Sequence, residues 1–332
     1  MIYFFLLKDN NTPTTYSGKL FAHGLKAAGF PVSIVQNDDK KKHILKVIKS
    51  GTIIFQKCLH PLHQAARIKH LKGKVGLIHI DDDFSQMDKA GHIKTLETTD
   101  LILVVSPLHR KLLSSLVKTP CAVIRTITDL RQFAYFPQHL RTNNPPIIAW
   151  QQSHADMYAK DLLEIEKPLI ELHQRFPYRL RLFGWHLGKD STDRRDLISK
   201  HIPFAEFIPA VPIHDFFTNI VPQLQQANAF IVPYRDTPRS WAKGAFALRQ
   251  VMALGVPVVV SKIGVHPKII KDGDNGFLAS THEEWVAKLY KILTDPALAE
   301  HLSKNARQTV ETEYSEKKCI EIFIKALHPY LK

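Results

Sequence analysis

Three groups of residues in this chain have the types and spacing to do chemistry. The first lies between Tyr234 and Leu254, where Arg239, Lys243 and Arg249 gather around Gly244, and Asp236 is the sole acid among them. Lys243 and Gly244 stand at the expected start of a helix, where unpaired backbone N–H groups and a partial positive charge favour an anion. A glycine lets that anion approach the backbone closely. The second group is His79-Ile80-Asp81-Asp82-Asp83. Adjacent carboxylates repel one another, so three readings stand: a bound cation, a role for His79, Asp81 or Asp82 in a catalytic site, or capping of the next helix. The third is the polar loop holding Thr14, Thr15, Tyr16 and Gly18, which either touches a ligand or simply caps the helix that follows.

Each group sits where a parallel sheet would present it. Phe230-Ile231-Val232 has the length and β-branched character of a buried strand and is stopped by Pro233. The loop to Ser240 is followed by an expected helix over 241–254, closed by Gly255, and by a second buried strand, Pro257 to Ser261. Such strand-loop-helix-strand units hold ligands outside the C-terminal ends of their strands. The same alternation opens the chain, with a strand over 1–7, a helix over 17–28 ended by Gly29, and strands over 31–35, 52–56 and 75–80, the last delivering His79. No GxGxxG follows the first strand, which argues against a dinucleotide enzyme. Asn143-Asn144-Pro145-Pro146 is the best linker signal, and it divides the chain into 1–144 and 145–312, with a last helix over 313–332.

The run Val232-Pro233-Tyr234-Arg235-Asp236-Thr237-Pro238, then Ala242-Lys243-Gly244, then Met252-Ala253-Leu254-Gly255-Val256-Pro257-Val258-Val259, then Gly273-Asp274-Asn275-Gly276-Phe277-Leu278 resembles the donor-site signature of family 4-type glycosyltransferases. The resemblance implies the GT-B α/β architecture: two Rossmann-like, doubly wound parallel-sheet domains facing a central cleft, the first binding an acceptor and the second a nucleotide-sugar. It implies transfer of a sugar with retention of configuration, without a cofactor and without a metal. By the same resemblance His79, Asp81 and Asp82 are the catalytic candidates. Gln151, Ser153, Gly184, Arg239, Lys243, Gly244, Arg249 and Gln250 are the donor-binding candidates, and Thr15, Tyr16 and Gly18 the acceptor-binding ones. The last helix would pack back on the first domain. Two positions depart from the family pattern: Gln250 stands where the family has a ribose-binding glutamate, and Ala242 where a second acid is common.

The composition is that of a soluble globular chain, with 332 residues and 45% hydrophobic content, enough for two cores. Cys58, Cys121 and Cys319 lack ligand spacing and fit a reducing cytoplasm. The first apolar run is cut off by Lys8-Asp9-Asn10, which reads as a strand and not a leader or span. Residues 1–145 carry 21 Lys+Arg against 10 Asp+Glu, and so hold most of the net charge of +14. That asymmetry points to an anionic partner for the first domain: the inner face of a membrane, met peripherally, or a lipid-linked or glycan acceptor. A merely solvated lysine-rich surface explains it equally well. Two other functions remain open: an idle transferase-like partner subunit, on the strength of Gln250 and Ala242, and nucleic-acid binding, which charge alone supports.

Overall fold

A computed structural model describes residues 1–6, 18–36, 50–56, 72–79, 92–97, 99–186 and 188–331. The chain divides into two compact units. Unit 1 comprises 1–127, 241–244 and 313–332; unit 2 comprises 128–240 and 245–312.

Unit 1 is built on strands β1 (Ile2–Leu6), β2 (Val32–Gln36), β3 (Ser50–Gln56), β4 (Lys72–His79), β5 (Leu101–Val104) and β6 (Cys121–Val123). Among the described residues they form one parallel sheet in the order β2-β1-β3-β4-β5-β6. Ile2–Leu6 is buried throughout, as a central strand covered on both faces must be. Helices α1 (Leu20–Ala27), α2 (His92–Glu97) and α3 (Pro107–Leu116) make the crossovers. The expected helix over 17–28 begins later, because Gly18 and Lys19 form a wider π turn ahead of α1. α3 starts cleanly: Ser106 Oγ accepts from His109 N at 3.0 Å, and Pro107 occupies the first helical position, where its missing N–H costs nothing.

Unit 2 carries β7 (Ile147–Gln151), β8 (Arg179–Trp185), β9 (Ala205–Pro209), β10 (Ala229–Val232), β11 (Val258–Ser261) and β12 (Phe277–Ala279), paired in parallel in the order β12-β11-β10-β7-β8-β9. The chain runs outward from β7 through β8 to β9, then jumps back to lay β10 on the other side of β7. The topological switch point therefore lies between β7 and β10, where Ala229 pairs with Ile148 and Phe230 with Ala149. Its main helices are α4 (Ala159–Leu163), α5 (Glu166–Arg175), α6 (Lys189–His201), α7 (Pro238–Ala242), α8 (Phe246–Ala253), α9 (His282–Thr294) and α10 (Pro296–Glu313). One core joins Ile148, Trp150, Leu180, Leu182 and Ile231 to Leu162, Leu169, Leu172 and Leu289 of the covering helices.

Segment 128–144, which the sequence assigns ahead of its boundary, packs with unit 2. Buried Arg141 fixes it there, donating to Gln225 O, Gln138 Oε1 and Leu254 O, while Asn143 donates to Gln226 O. The chain then returns to unit 1 with α11 (Glu316–Leu327), whose Phe323 stacks on Phe21 at 4.3 Å and lies 6.2 Å from Phe4.

Candidate functional site

In open α/β sheets the loops leaving the two strands that flank the switch point splay apart and leave a crevice between them. In unit 2 those loops are 152–158, after β7, and 233–237, after β10. Arg235 of the second loop and Arg239 of α7 reach across to the β7 side, to Asp161 of α4 and Tyr158 of the first loop. Arg235 Nε donates to Asp161 Oδ1 at 2.9 Å, and Arg239 Nη2 donates to the Tyr158 hydroxyl at 3.0 Å, with its guanidinium carbon 4.9 Å from the Tyr158 ring centroid. Asp161 is buried, so its pairing with Arg235 is less screened than a surface ion pair. On the β11 side, Tyr234 N donates to Ser261 Oγ at 2.8 Å and the Tyr234 ring stacks on buried His266 at 4.9 Å.

The helix expected over 241–254 is two helices. α7 ends at Ala242, and α8 begins at Phe246. The break accompanies a tertiary contact. A Cβ on Gly244 would lie 2.9 Å from Val105 Cγ2, so only glycine fits there, and Ala245 takes a left-handed φ of 53°. Lys243 is therefore not the first residue of a helix, as the sequence reading has it, but part of the break, and segment 241–244 belongs to unit 1. The first turn of α8 holds no acid, and its N-cap Ala245 makes no side-chain cap. The start of such a helix carries a partial positive charge that favours an anion.

The remaining candidates sort by what they touch. Gln250, on α8, is 4% exposed, and among the described residues its amide nitrogen Nε2 has no partner. A buried donor left unmade costs about 1 to 3 kcal/mol unless something supplies an acceptor. Neighbouring Arg249 is buried within the same helix, so its charge is not open to solvent. Gln151 is the buried last residue of β7. Ser153 is exposed and caps no helix, and its carbonyl oxygen lies 2.8 Å from His186 Nε2, in a pair of loops where the His154 and His186 rings stack at 4.4 Å. Gly184, inside β8, has φ +101°, and a Cβ there would lie 1.7 Å from Gln152 O, so it lets β8 approach the backbone just after β7. In unit 1, Gly18 is buried with a Cβ position 2.4 Å from Leu6 Cδ2, a close-packing role. His79 ends β4, its backbone paired with Val104, and its side chain is outside the described residues. Thr15, Tyr16, Asp81 and Asp82 also fall outside them.

The sequence reading missed Tyr158, Asp161, Ser261 and His266. Tyr158 and Asp161 lie 81 and 74 residues from the arginines they hold, and no spacing rule spans that distance. The strand ending at Ser261 was the available signal for that residue, since ligands sit outside the C-terminal ends of the strands in such sheets.

The family described as Glycosyl transferases group 1 matches residues 173–309. No curated protein sequence matches the chain. Among solved structures, the chain is similar to sucrose-phosphate synthase from Thermosynechococcus elongatus, with 14% identity, 99% of both chains covered and a TM-score of 0.70. It is similar to HepE of Anabaena, solved with UDP and glucose, with 12% identity, 98% of this chain and 99% of that one covered and a TM-score of 0.71. A glycosyltransferase from Rickettsia africae aligns with 15% identity over 98% of each chain at a TM-score of 0.72. The fold is that of the GT-B glycosyltransferases, two Rossmann-like units. The matched segment, running from α5 into α10, carries the group 1 glycosyl transferase pattern.

Proposed function

We propose that the chain transfers a sugar from a nucleoside-diphosphate sugar to a glycan or lipid-linked acceptor, with retention of configuration and without a metal, in the synthesis of a cell-surface polysaccharide or glycoconjugate. The observation that carries this is the switch-point crevice of unit 2. Arg235 and Arg239 line it, α8 begins beside it with no acid in its first turn, and the buried amide nitrogen of Gln250 has no acceptor among the described residues. Breaking the bond between sugar and phosphate builds negative charge on the departing diphosphate, and fixed cations and N–H dipoles stabilise that charge without reorganising. Gln250 can hold a ribose, accepting from one hydroxyl through Oε1 and donating to the oxygen of the other through Nε2. HepE was solved with UDP and with UDP-glucose, which makes these the first donors to test.

The test is calorimetric titration with UDP, GDP and their sugar conjugates, followed by release of UDP or GDP in the presence of acceptor. Lys243→Ala is expected to weaken nucleotide binding by about 1.5 to 3 kcal/mol, the range for hydrogen bonds to charged groups. Turnover should survive EDTA; loss restored by Mg²⁺ or Mn²⁺ would return attention to Asp81, Asp82 and Asp83. A second reading, a partner subunit that binds a nucleotide-sugar without turning it over, draws on one feature. Residues 238–253 contain no carboxylate at all. Binding without product release would favour it.

A further inference from the structure

The end of α8 is fastened from outside the helix. α8 has no basic residue in its last turn, and its final carbonyls fall into two sets. The first set is closed by the chain's own turn: Leu254 N donates to Gln250 O at 3.2 Å, Val256 N to Val251 O at 3.1 Å and Gly255 N to Met252 O at 3.0 Å, with Gly255 at φ +73°. The next two carbonyls are taken by arginines from distant parts of unit 2. Arg307 Nη1, on α10, donates to Ala253 O at 2.8 Å and to Phe133 O at 2.7 Å. Arg141 Nη2 donates to Leu254 O at 3.0 Å, and Phe136 N reaches the same oxygen at 3.0 Å.

Arg141 is buried, and the acceptors it reaches, Leu254 O, Gln138 Oε1 and Gln225 O, are all uncharged. Burial pulls its guanidinium down to about 10, against smaller upward pulls from Tyr135 and Glu300, so it is still a cation at neutral pH. Burying a cation on neutral acceptors is costly, and the partial negative charge at a helix C-terminus offsets part of that cost. The arginine is therefore held at the helix end, and the helix end is held by it. α8 depends on such a hold: eight residues make a helix about 12 Å long, too short to keep its place in water by itself. Its N-cap, Ala245, makes no side-chain hydrogen bond. Gln250 lies one turn before Leu254, on the clamped end, and about 1 Å of misplacement there is enough to spoil a productive geometry.

We propose that Arg141 and Arg307 are positioning residues for nucleotide binding: by holding the last carbonyls of α8 they set where Gln250 meets the ribose of a donor. The proposal rests on the sugar-transfer reading of Gln250. The test is calorimetric titration of the full chain with UDP and with GDP, using wild type, Arg141→Met, Gln250→Ala and the double variant. Each single change should weaken binding at least about fivefold, whereas adding Arg141→Met to Gln250→Ala should cost under about twofold, because the contact it aims is already gone. Arg307→Met should follow the same pattern. Arg141→Lys keeps the charge at the helix end but not the planar fork, so its affinity should fall between wild type and Arg141→Met. Circular dichroism melts identify folded variants, and if Arg141→Met does not fold, Arg141→Lys and Arg307→Met carry the same cycle with Gln250→Ala. Folded variants that bind as wild type does overturn the proposal. So does a loss that is equally large with and without the Gln250 amide, which would make the arginines merely structural. Both of those results leave the sugar-transfer reading standing; a wild type that binds neither nucleotide overturns that reading and the proposal together.

Discussion

The guanidinium of Arg239 lies over the Tyr158 ring, 4.9 Å from its centroid, and donates to the Tyr158 hydroxyl at 3.0 Å. A cation held this way keeps its charge but loses its freedom to swing, so it waits in one place on the wall of the crevice between β7 and β10. Arg239→Ala should therefore weaken UDP binding by about 1.5 to 3 kcal/mol, and Tyr158→Phe, which keeps the ring and loses one hydrogen bond, by under about 1.5 kcal/mol. Isothermal titration of the two variants checks the order. Affinity that is unchanged in a folded Arg239→Ala protein would place the diphosphate elsewhere.

Gln250 gives a second prediction. Its buried, unpartnered amide nitrogen suits a ribose oxygen, and an amide does not titrate as a carboxylate would. Donor binding should hold steady as pH falls through the carboxylate range, whereas a Gln250→Glu variant should bind about 1 kcal/mol more tightly near pH 7 and lose that gain in acid. Gln250→Ala should bind more weakly than either. Three indistinguishable titration curves from folded proteins would show that Gln250 does not meet the ligand.

The close approach of β8 to the backbone just after β7 depends on Gly184. Gly184→Ala must place a Cβ at φ +101° and 1.7 Å from Gln152 O, so a loss of more than about 2 kcal/mol in stability, or failure to fold, is expected. Gly188→Ala is the comparison: its φ is also positive, at +137°, but no atom lies within 4 Å of the new Cβ. Thermal melts of the two should differ clearly. Equal melting temperatures would mean that the two backbone segments can separate at little cost.

Edge strand β9 supplies a pH prediction. Burial pushes the Glu206 carboxyl up, but hydrogen bonds from Arg179 at 2.6 and 2.8 Å and from Arg181 at 3.1 Å outweigh it and hold it below the usual carboxylate range. A carboxyl lowered on folding contributes stability above its unfolded value, and that contribution is lost as pH falls through the folded one. Glu206→Gln should lower the melting temperature at pH 7 and lower it by less at about pH 3, because part of the contribution is already lost below the ordinary glutamate value of about 4.3 and the rest goes as pH passes the folded value. A deficit that stays the same at both values would assign the effect to packing, not charge.

The sequence by itself determined the parallel α/β class and the cationic run from Arg239 to Arg249, because apolar strand runs, Gly and Pro stops and charge are properties of neighbouring residues. It also marked Gln250 as an amide, which chemistry alone makes a donor as well as an acceptor. It did not determine the break at Lys243-Gly244-Ala245. Gly244 weakens helix propensity there but a single glycine does not fix a break, and the interruption accompanies the approach of Gly244 to Val105, 139 positions back in the chain. Nor could it join Arg239 to Tyr158 or Arg235 to Asp161, since those pairs exist only because β10 lies against β7, a choice made by sheet order and not by local pattern. Local sequence sets which groups are available; tertiary structure decides which of them meet, because contacts between distant residues depend on how strands are ordered and on where backbones can touch.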